Sequence, residues 1–299
     1  MAPSASDFGP TEARLAAFQA EVREHYRKHR RDLPWRRTHD PYAILVSEIM
    51  LQQTQVPRVL DKYPLFLVRF PTICVLAQAE VGEVLAAWSG LGYNRRALSL
   101  HRAAKIIAER HRGRVPESAT ELRRLPGVGA ATAAAVSAFA FARAEPFIET
   151  NIRSAFIHFF FQDVDGVSDA DILPLVERTL DRDDPREWFY ALMDYGVWVK
   201  KTFGNPSRRS KHHTVQSPFA GSRRQMRARA LQLLLSVASS GADAAAVRDM
   251  LPDLDRGLEE VVSVLDDLVR EGFLEKDGDA YRIAGSGRSS ATGDEGVAY

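Results

Sequence analysis

Apolar residues recur along most of this chain every three or four positions, the period of a helix with one buried face, and the alternation of a half-buried strand is scarce. The fold class that follows is mainly α. One helix is predicted over Glu12–His29. Asp40 then Pro41 reads as an N-cap with a first-turn proline, opening a second helix through Ile44, Leu45, Ile49 and Met50. Gly and Pro punctuation separates further helices expected over 63–69, 73–77, 81–87, 97–110, 118–125, 130–142, 151–160, 171–180 and 185–200.

From Arg223 the pattern changes. Helices over 225–237, 244–250 and 254–271 lead into Gly272-Phe273-Leu274-Glu275, a turn at Asp277-Gly278-Asp279, and a second extended run over 280–283. Three helices followed by a hairpin resemble a winged-helix-like module over 223–284; a small helical cap without DNA contact fits the same pattern. Residues 285–299, rich in Gly and Ser, read as a disordered tail.

A length of 299 residues allows two or three compact units, and 45% hydrophobic with 26% charged residues is the balance of a soluble globular chain. No apolar run approaches the roughly 20 residues that cross a bilayer, and the N-terminus lacks the basic start and apolar stretch of a secretory signal. The expectation is a cytoplasmic protein with no membrane partner. The lone cysteine, Cys74, can build neither a disulfide framework nor a cysteine-ligated metal cluster. Net charge, +1, is uninformative, but its distribution is not: no acid falls between Asp194 and Asp243, where Lys200, Lys201, Arg208, Arg209, Lys211, Arg223, Arg224, Arg227 and Arg229 lie. Such a run suits a surface facing phosphates; a solvated basic linker is the alternative.

Leu125-Pro126-Gly127-Val128-Gly129 sits between two helical segments. Its glycines permit a tight reversal that leaves backbone N–H groups pointing outward at the next helix start, a natural seat for a DNA phosphate. Ala130 and Ala131 would let the hairpin pack closely, and Ile148-Glu149-Thr150-Asn151 follows about twenty residues later.

Together with Leu33-Pro34-Trp35, the run Ser47-Glu48-Ile49-Met50-Leu51-Gln52-Gln53-Thr54-Gln55-Val56 and Trp88-Ser89-Gly90-Leu91-Gly92-Tyr93, this hairpin resembles the motifs, in order, of the helix-hairpin-helix (HhH-GPD) DNA glycosylases, and among them the MutY-type adenine glycosylases. The resemblance covers roughly residues 25–200. It implies a two-domain glycosylase fold: 1–32 with 144–222 as one helical domain carrying the second carboxylate, 33–143 as a six-helix domain with the hairpin, and a DNA-binding cleft between them. It also implies a base excision repair enzyme, a hydrolase and glycosidase acting at DNA damage, that cleaves the N-glycosidic bond of a base flipped out of double-stranded DNA.

The resemblance also implies roles. Cleaving a base from deoxyribose needs a protonated leaving group and a stabiliser for the cationic sugar. Glu48 matches the acid, and it must be buried beside apolar neighbours to stay protonated near neutral pH. Glu149 stands where the family normally has aspartate; either it works from a shifted backbone, or the substrate geometry differs, or it only caps the next helix. Asn151 matches a polar residue near the same sugar. Gln53 matches the residue that wedges into the gap, Leu51 and Thr54 the contacts to the opposite base, Tyr93 a stacking ring, and Gln52 a further DNA contact; Gly127 and Gly129 would hold phosphate, with a monovalent cation compatible at the hairpin. Bifunctional relatives such as endonuclease III carry a lysine where this chain has Ala131, so a monofunctional enzyme with water as nucleophile is implied.

Two departures matter. MutY-type enzymes usually place four cysteines after the segment matching Met193-Asp194-Tyr195-Gly196; here Lys200 stands near the first ligand position and no cysteine follows. The resemblance is therefore to members lacking the iron–sulfur cluster, with no metal or other cofactor. The segment 205–222 is expected to support itself through side-chain hydrogen bonds and packing of Phe219, leaving Arg208 and Arg209 to DNA. In addition, nothing past Arg223 resembles the domain that inspects oxidised guanine. Adenine mispaired with 8-oxoguanine or guanine leads, beside excision of another damaged or mismatched base, or a non-enzymatic DNA-structure-binding protein on the same scaffold. A monomer is expected.

Overall fold

A computed structural model describes residues 10–214, 217–237, 240–252 and 256–286. The tail expected over 285–299 lies outside the described residues from 287 onward. In chain order the helices are α1 (Glu12–His29), α2 (Pro41–Leu51), α3 (Val56–Arg69), α4 (Ile73–Gln78), α5 (Val81–Trp88), α6 (Arg95–Arg110), α7 (Ala119–Leu122), α8 (Ala130–Phe141), α9 (Thr150–Phe160), α10 (Asp169–Thr179), α11 (Pro185–Thr202), α12 (Arg223–Ser236), α13 (Ala244–Asp249) and α14 (Leu258–Glu271). Three short strands, β1 (Ala242–Asp243), β2 (Leu274–Asp277) and β3 (Ala280–Ile283), complete a mainly α protein.

Local capping explains most boundaries. Thr11, Thr72, Ser118, Ser168, Asp184, Ser222 and Asp243 each accept a backbone N–H from the first turn of the helix they precede. The periodicity misplaces the start of α3 most: it begins at Val56, not at 63, and carries Pro64 inside it. Burial of Val59, Tyr63 and Phe66 along one face outweighs the missing N–H of that proline. Strand β1, two residues long, is too short to show a period; it pairs antiparallel with β3 and completes a sheet of order β1-β3-β2. The C-terminal segment thus has the helix-strand-helix-helix-strand-strand order of a winged helix.

The chain forms two compact units, one made of residues up to Glu48 with Val115–Val215, the other of Ile49–Arg114 with residues from Gln216 onward. The divisions between these units fall inside α2 and before Val115, whereas the resemblance implied boundaries at 33 and 143. The hairpin therefore folds with the Glu149 segment, and 49–114 folds with the winged helix.

In the first unit α9 lies against α11 so closely that a Cβ on Gly196 would overlap the carbonyl oxygen of Asn151. Phe18 of α1 closes this core, its ring 4.8 Å from Phe156 and edge-on to Trp188 and Tyr195. In the second unit α4 and α5 pack on α6. The winged helix buries Val261, Val264, Leu265 and Leu268 of α14 against its own sheet and helices. Glu271, at the end of α14, receives Arg95 (2.6 Å) and Arg227 (2.6 Å), and its carbonyl accepts from Arg102 (2.6 Å).

These pairs revise the expected phosphate-facing run. Arg223 pairs with Asp267, Arg227 with Glu271, and Arg224 donates to the Ser217 carbonyl (2.6 Å). Acids on α14, distant in sequence, answer the acid-free stretch, whereas Lys201, Arg208 and Lys211 stay exposed. Among the described residues no helix is long and apolar enough to cross a membrane.

Candidate active site

Helix α2 is almost wholly apolar, with Ile44, Leu45, Val46, Ile49 and Met50 at 0–1% exposure. Glu48 interrupts that run. Part of its surface remains open, yet its carboxyl is densely enclosed by protein, and this burial, aided by the negative charge of Glu149 and opposed by Arg36, pushes its pKa up to about 8. At neutral pH the group is therefore a carboxylic acid with a proton to donate.

Arg36 would undo this if its charge were uncompensated. It is instead held bidentately by Asp194, both bonds at 2.8 Å, and lies 4.4 Å from the centroid of the Tyr190 ring. Arg31 adds a backbone N–H (2.9 Å) and its Nε (2.5 Å) to the same carboxylate. Burial alone would raise Asp194, but the Arg36 hydrogen bonds and the charges of Arg36 and Arg31 hold it below the ordinary carboxylate range. Asp194 thus stays ionised and absorbs the field of Arg36, leaving Glu48 neutral. Neither residue was singled out in sequence; their signal was membership of the Leu33-Pro34-Trp35 and Met193-Asp194-Tyr195-Gly196 neighbourhoods.

Glu149 is the N-cap of α9. Its Oε1 accepts from the N–H groups of Asn151 (2.7 Å) and Ile152 (2.9 Å), and its Oε2 accepts from Asn151 Nδ2 (3.0 Å). Asn151 thus orients the carboxylate, and the close approach at Gly196 fixes Asn151 in turn. The capping alternative is realised, and the same carboxylate acts electrostatically on Glu48. Lys200, one helical turn beyond Gly196, lies within electrostatic reach of Glu149; burial lowers its pKa while Glu149 acts in the opposite direction.

The hairpin takes the expected form. Gly127 has φ 77°, a conformation that favours glycine, whereas Gly129 (φ −79°) is the N-cap of α8 and faces open space where a Cβ would sit. Both glycines and Ala130 are exposed, so the first turn of α8 is accessible to an anion, and Arg123 and Arg124, overlooked in the sequence reading, flank it in the open. Ala131 lies in that first turn.

The segment after α11 is tied down by side chains. Ser207 Oγ donates to the Thr150 carbonyl (3.1 Å) and lies 2.6 Å from Ser154 Oγ, while Val167 bridges to Ser210. Arg209, expected on DNA, turns Nη1 onto the carbonyls of Phe161 (2.7 Å) and Gln162 and so ties the segment to the end of α9. Arg208 is exposed. Phe219 is 54% exposed and belongs to the other unit, so it does not provide the packing expected of it. An iron–sulfur cluster does not fit these residues: it needs several thiolates, and the single cysteine, Cys74, lies on α4.

The expected wedge residues lie in the second unit. Leu51 and Gln52 end α2 and its turn, Gln53 is exposed with φ 53°, and Tyr93 is 40% exposed with φ 49°. Thr54 Oγ1 accepts from Arg96 Nη2 at 2.8 Å, and the same guanidinium reaches the carbonyl of Gln52, so residues 52–54 are joined to the segment bearing Tyr93.

Fold and site together define a helix-hairpin-helix protein with a protonated carboxylic acid electrostatically coupled to a second carboxylate. A family model described as "HhH-GPD superfamily base excision DNA repair protein" matches residues 46–197, and the chain belongs to that family. It is 40% identical over 181 residues to "Adenine DNA glycosylase" of Mycobacterium tuberculosis, covering 58% of this chain and 59% of that protein. Identity to "Adenine DNA glycosylase" of Mycolicibacterium smegmatis is 32% over 308 residues, covering 92% of this chain and 99% of the relative. Among solved structures a thermostable thymine-DNA glycosylase aligns at TM-score 0.57 and 27% identity, covering 62% of this chain and 87% of that one. An endonuclease III trapped on DNA aligns at TM-score 0.51 and 19% identity, over 72% of this chain and 93% of the other, a likeness of fold.

Proposed function

We propose that this protein is a monofunctional DNA glycosylase of base excision repair that hydrolyses the N-glycosidic bond of a base extruded from double-stranded DNA. One feature carries the reading: Glu48 is enclosed in an apolar helix, where burial and the charge of Glu149 push its carboxyl up to about 8. The acid hands its proton to a ring nitrogen of the base, weakening the bond to C1′. Glu149, oriented by Asn151, offers negative charge to the developing sugar cation. Water adds to C1′ and loses a proton, leaving free base and an abasic site. With Ala131 in place of an amine, strand cleavage does not follow.

Adenine opposite 8-oxoguanine or guanine is the substrate we favour, because relatives aligned along this chain are named adenine DNA glycosylases. Excision of a mismatched pyrimidine is the second reading, supported by the likeness to a thymine-DNA glycosylase. The protein works as a monomer, without an iron–sulfur cluster, its 205–211 segment braced by Ser207, Ser154 and Arg209. DNA phosphates meet the α8 N-terminus, Arg208 and the hairpin arginines.

The test is a panel of duplexes, each with one candidate lesion, followed by alkali to reveal abasic sites. The expected result is alkali-dependent cleavage on the adenine duplexes, abolished in Glu48→Gln and indifferent to an iron chelator. Cleavage of none of them, or full activity in Glu48→Gln, refutes the proposal.

A further inference from the structure

The turns in the second unit are built around a charge. Arg96, near the start of α6, is 9% exposed. Its guanidinium donates to the carbonyls of Ile49 (2.9 Å), Met50 (2.9 Å), Leu91 (3.4 Å) and Gly92 (3.1 Å), to the carbonyl of Gln52, and to Thr54 Oγ1 (2.8 Å). All of these acceptors are uncharged. They come from two segments distant in sequence, the end of α2 with its turn and the Gly-Leu-Gly turn that leads into α6.

Helix α2 stops at Leu51 and leaves its last carbonyls without intrahelical donors, and Arg96 supplies them. On either side of the guanidinium the backbone is left-handed at non-glycine residues, Gln53 (φ 53°) and Tyr93 (φ 49°). Such conformations persist only where the surroundings over-determine them. The charge also lies 5.5 Å from the centroid of the Trp88 ring and 5.3 Å from that of Tyr93, and Trp88 Nε1 donates to Gly92 O (3.1 Å). Enclosing a cation among neutral acceptors is costly, and burial pushes Arg96 down to about 10. A glycine cap would end α2 at lower cost; only a planar fork joins both segments at once, Nη1 serving the carbonyls at the end of α2 and Nη2 reaching Thr54 and the carbonyls of Leu91 and Gly92.

We infer that Arg96 is the positioning residue for base extrusion, locking the 52–54 turn and the 90–93 turn into one preformed insert. The inference rests on the glycosylase reading. A preformed insert meets the free energy of unpairing without a further loss of loop entropy, so its value lies with bases that must be unpaired first. A base that is already unpaired gains little from it.

The experiment compares wild type with Arg96→Lys, which keeps the charge but not the fork, and with Arg96→Met. Single-turnover excision of adenine is measured opposite 8-oxoguanine and, separately, opposite a missing base. In parallel, 2-aminopurine beside the target reports unstacking by its brightening, with no need for excision. The variants should lose on the order of 100-fold on the paired duplex and less than about threefold on the unpaired one, and should fail to brighten the probe. Equal losses on both substrates, or brightening as in wild type, overturn the inference. If Arg96→Met does not fold, Arg96→Lys decides alone. If wild type brightens the probe but excises nothing, the glycosylase reading fails, and the positioning role stands or falls on the fluorescence of the variants.

Discussion

Replacing Glu48 by glutamine should make the protein more stable, by an amount that grows with pH. In the folded state burial lifts the carboxyl from an ordinary 4.5 to about 8. Between those values the unfolded chain releases this proton while the folded chain keeps it, so unfolding stability falls as pH rises and levels off above the folded value. At about 1.4 kcal/mol per pH unit the ionisable acid costs on the order of 3 kcal/mol at pH 7 and on the order of 5 kcal/mol well above pH 8. These are upper figures, because the side chain retains some contact with water. Glutamine has the same shape and no proton to lose. Urea unfolding of both proteins at pH 5, 7 and 9 provides the assay, and subtracting one curve from the other removes the titration of every other group. The difference should be under about 1 kcal/mol at pH 5 and widen steadily toward pH 8. Parallel curves would show that the carboxyl is hydrated and ionised at neutral pH, and the acid role would fall with it. The same proton governs turnover: excision by the wild type should decline as pH passes about 8.

Four further substitutions have outcomes that follow from the geometry. Asp194→Asn leaves the buried Arg36 without its counter-charge; Arg36 then draws Glu48 toward ionisation, so the alkaline limb of the excision profile should move to lower pH, with a loss of about 3–5 kcal/mol in stability. Gly196→Ala should cost about 3 kcal/mol or more in chemical denaturation, because the new Cβ overlaps the Asn151 carbonyl; without that overlap alanine inside a helix would stabilise by about 1 kcal/mol, so the sign alone decides. Arg208→Ala should weaken binding to all duplexes alike and reduce the salt slope by about 1, whereas Arg209→Ala should leave the slope unchanged and lower the melting temperature, since its donors serve Phe161 and Gln162.

Much of this molecule is written locally. Helix period, side-chain caps and turn glycines act over about four residues, so α1, α2 and β3 were legible from the pattern of apolar positions, as was the reversal at Gly127. Glu48 was legible through its match to the family's acid, a carboxylate in an otherwise apolar run. The start of α3 was not legible, because Pro64 suits the first turn of a helix opening at 63, whereas burial of Val59, Tyr63 and Phe66 along one face carries the helix through it from Val56. Charges misled most. The acid-free stretch reads as a phosphate-facing surface until Asp267 and Glu271 of α14 meet Arg223 and Arg227, and Arg209 reads as exposed until it turns onto two carbonyls.

By itself, then, the order of residues determined the helices and the hairpin, because those depend on near neighbours, and its resemblance to a family marked the candidate acid. The tertiary structure alone decided whether Glu48 keeps its proton, since that depends on enclosure and on three groups, Glu149, Arg36 and Asp194, that arrive from other segments of the chain. It likewise decided which cations are used internally. Coulomb energy and desolvation depend on distance in space, and folding sets that distance between residues far apart in the chain.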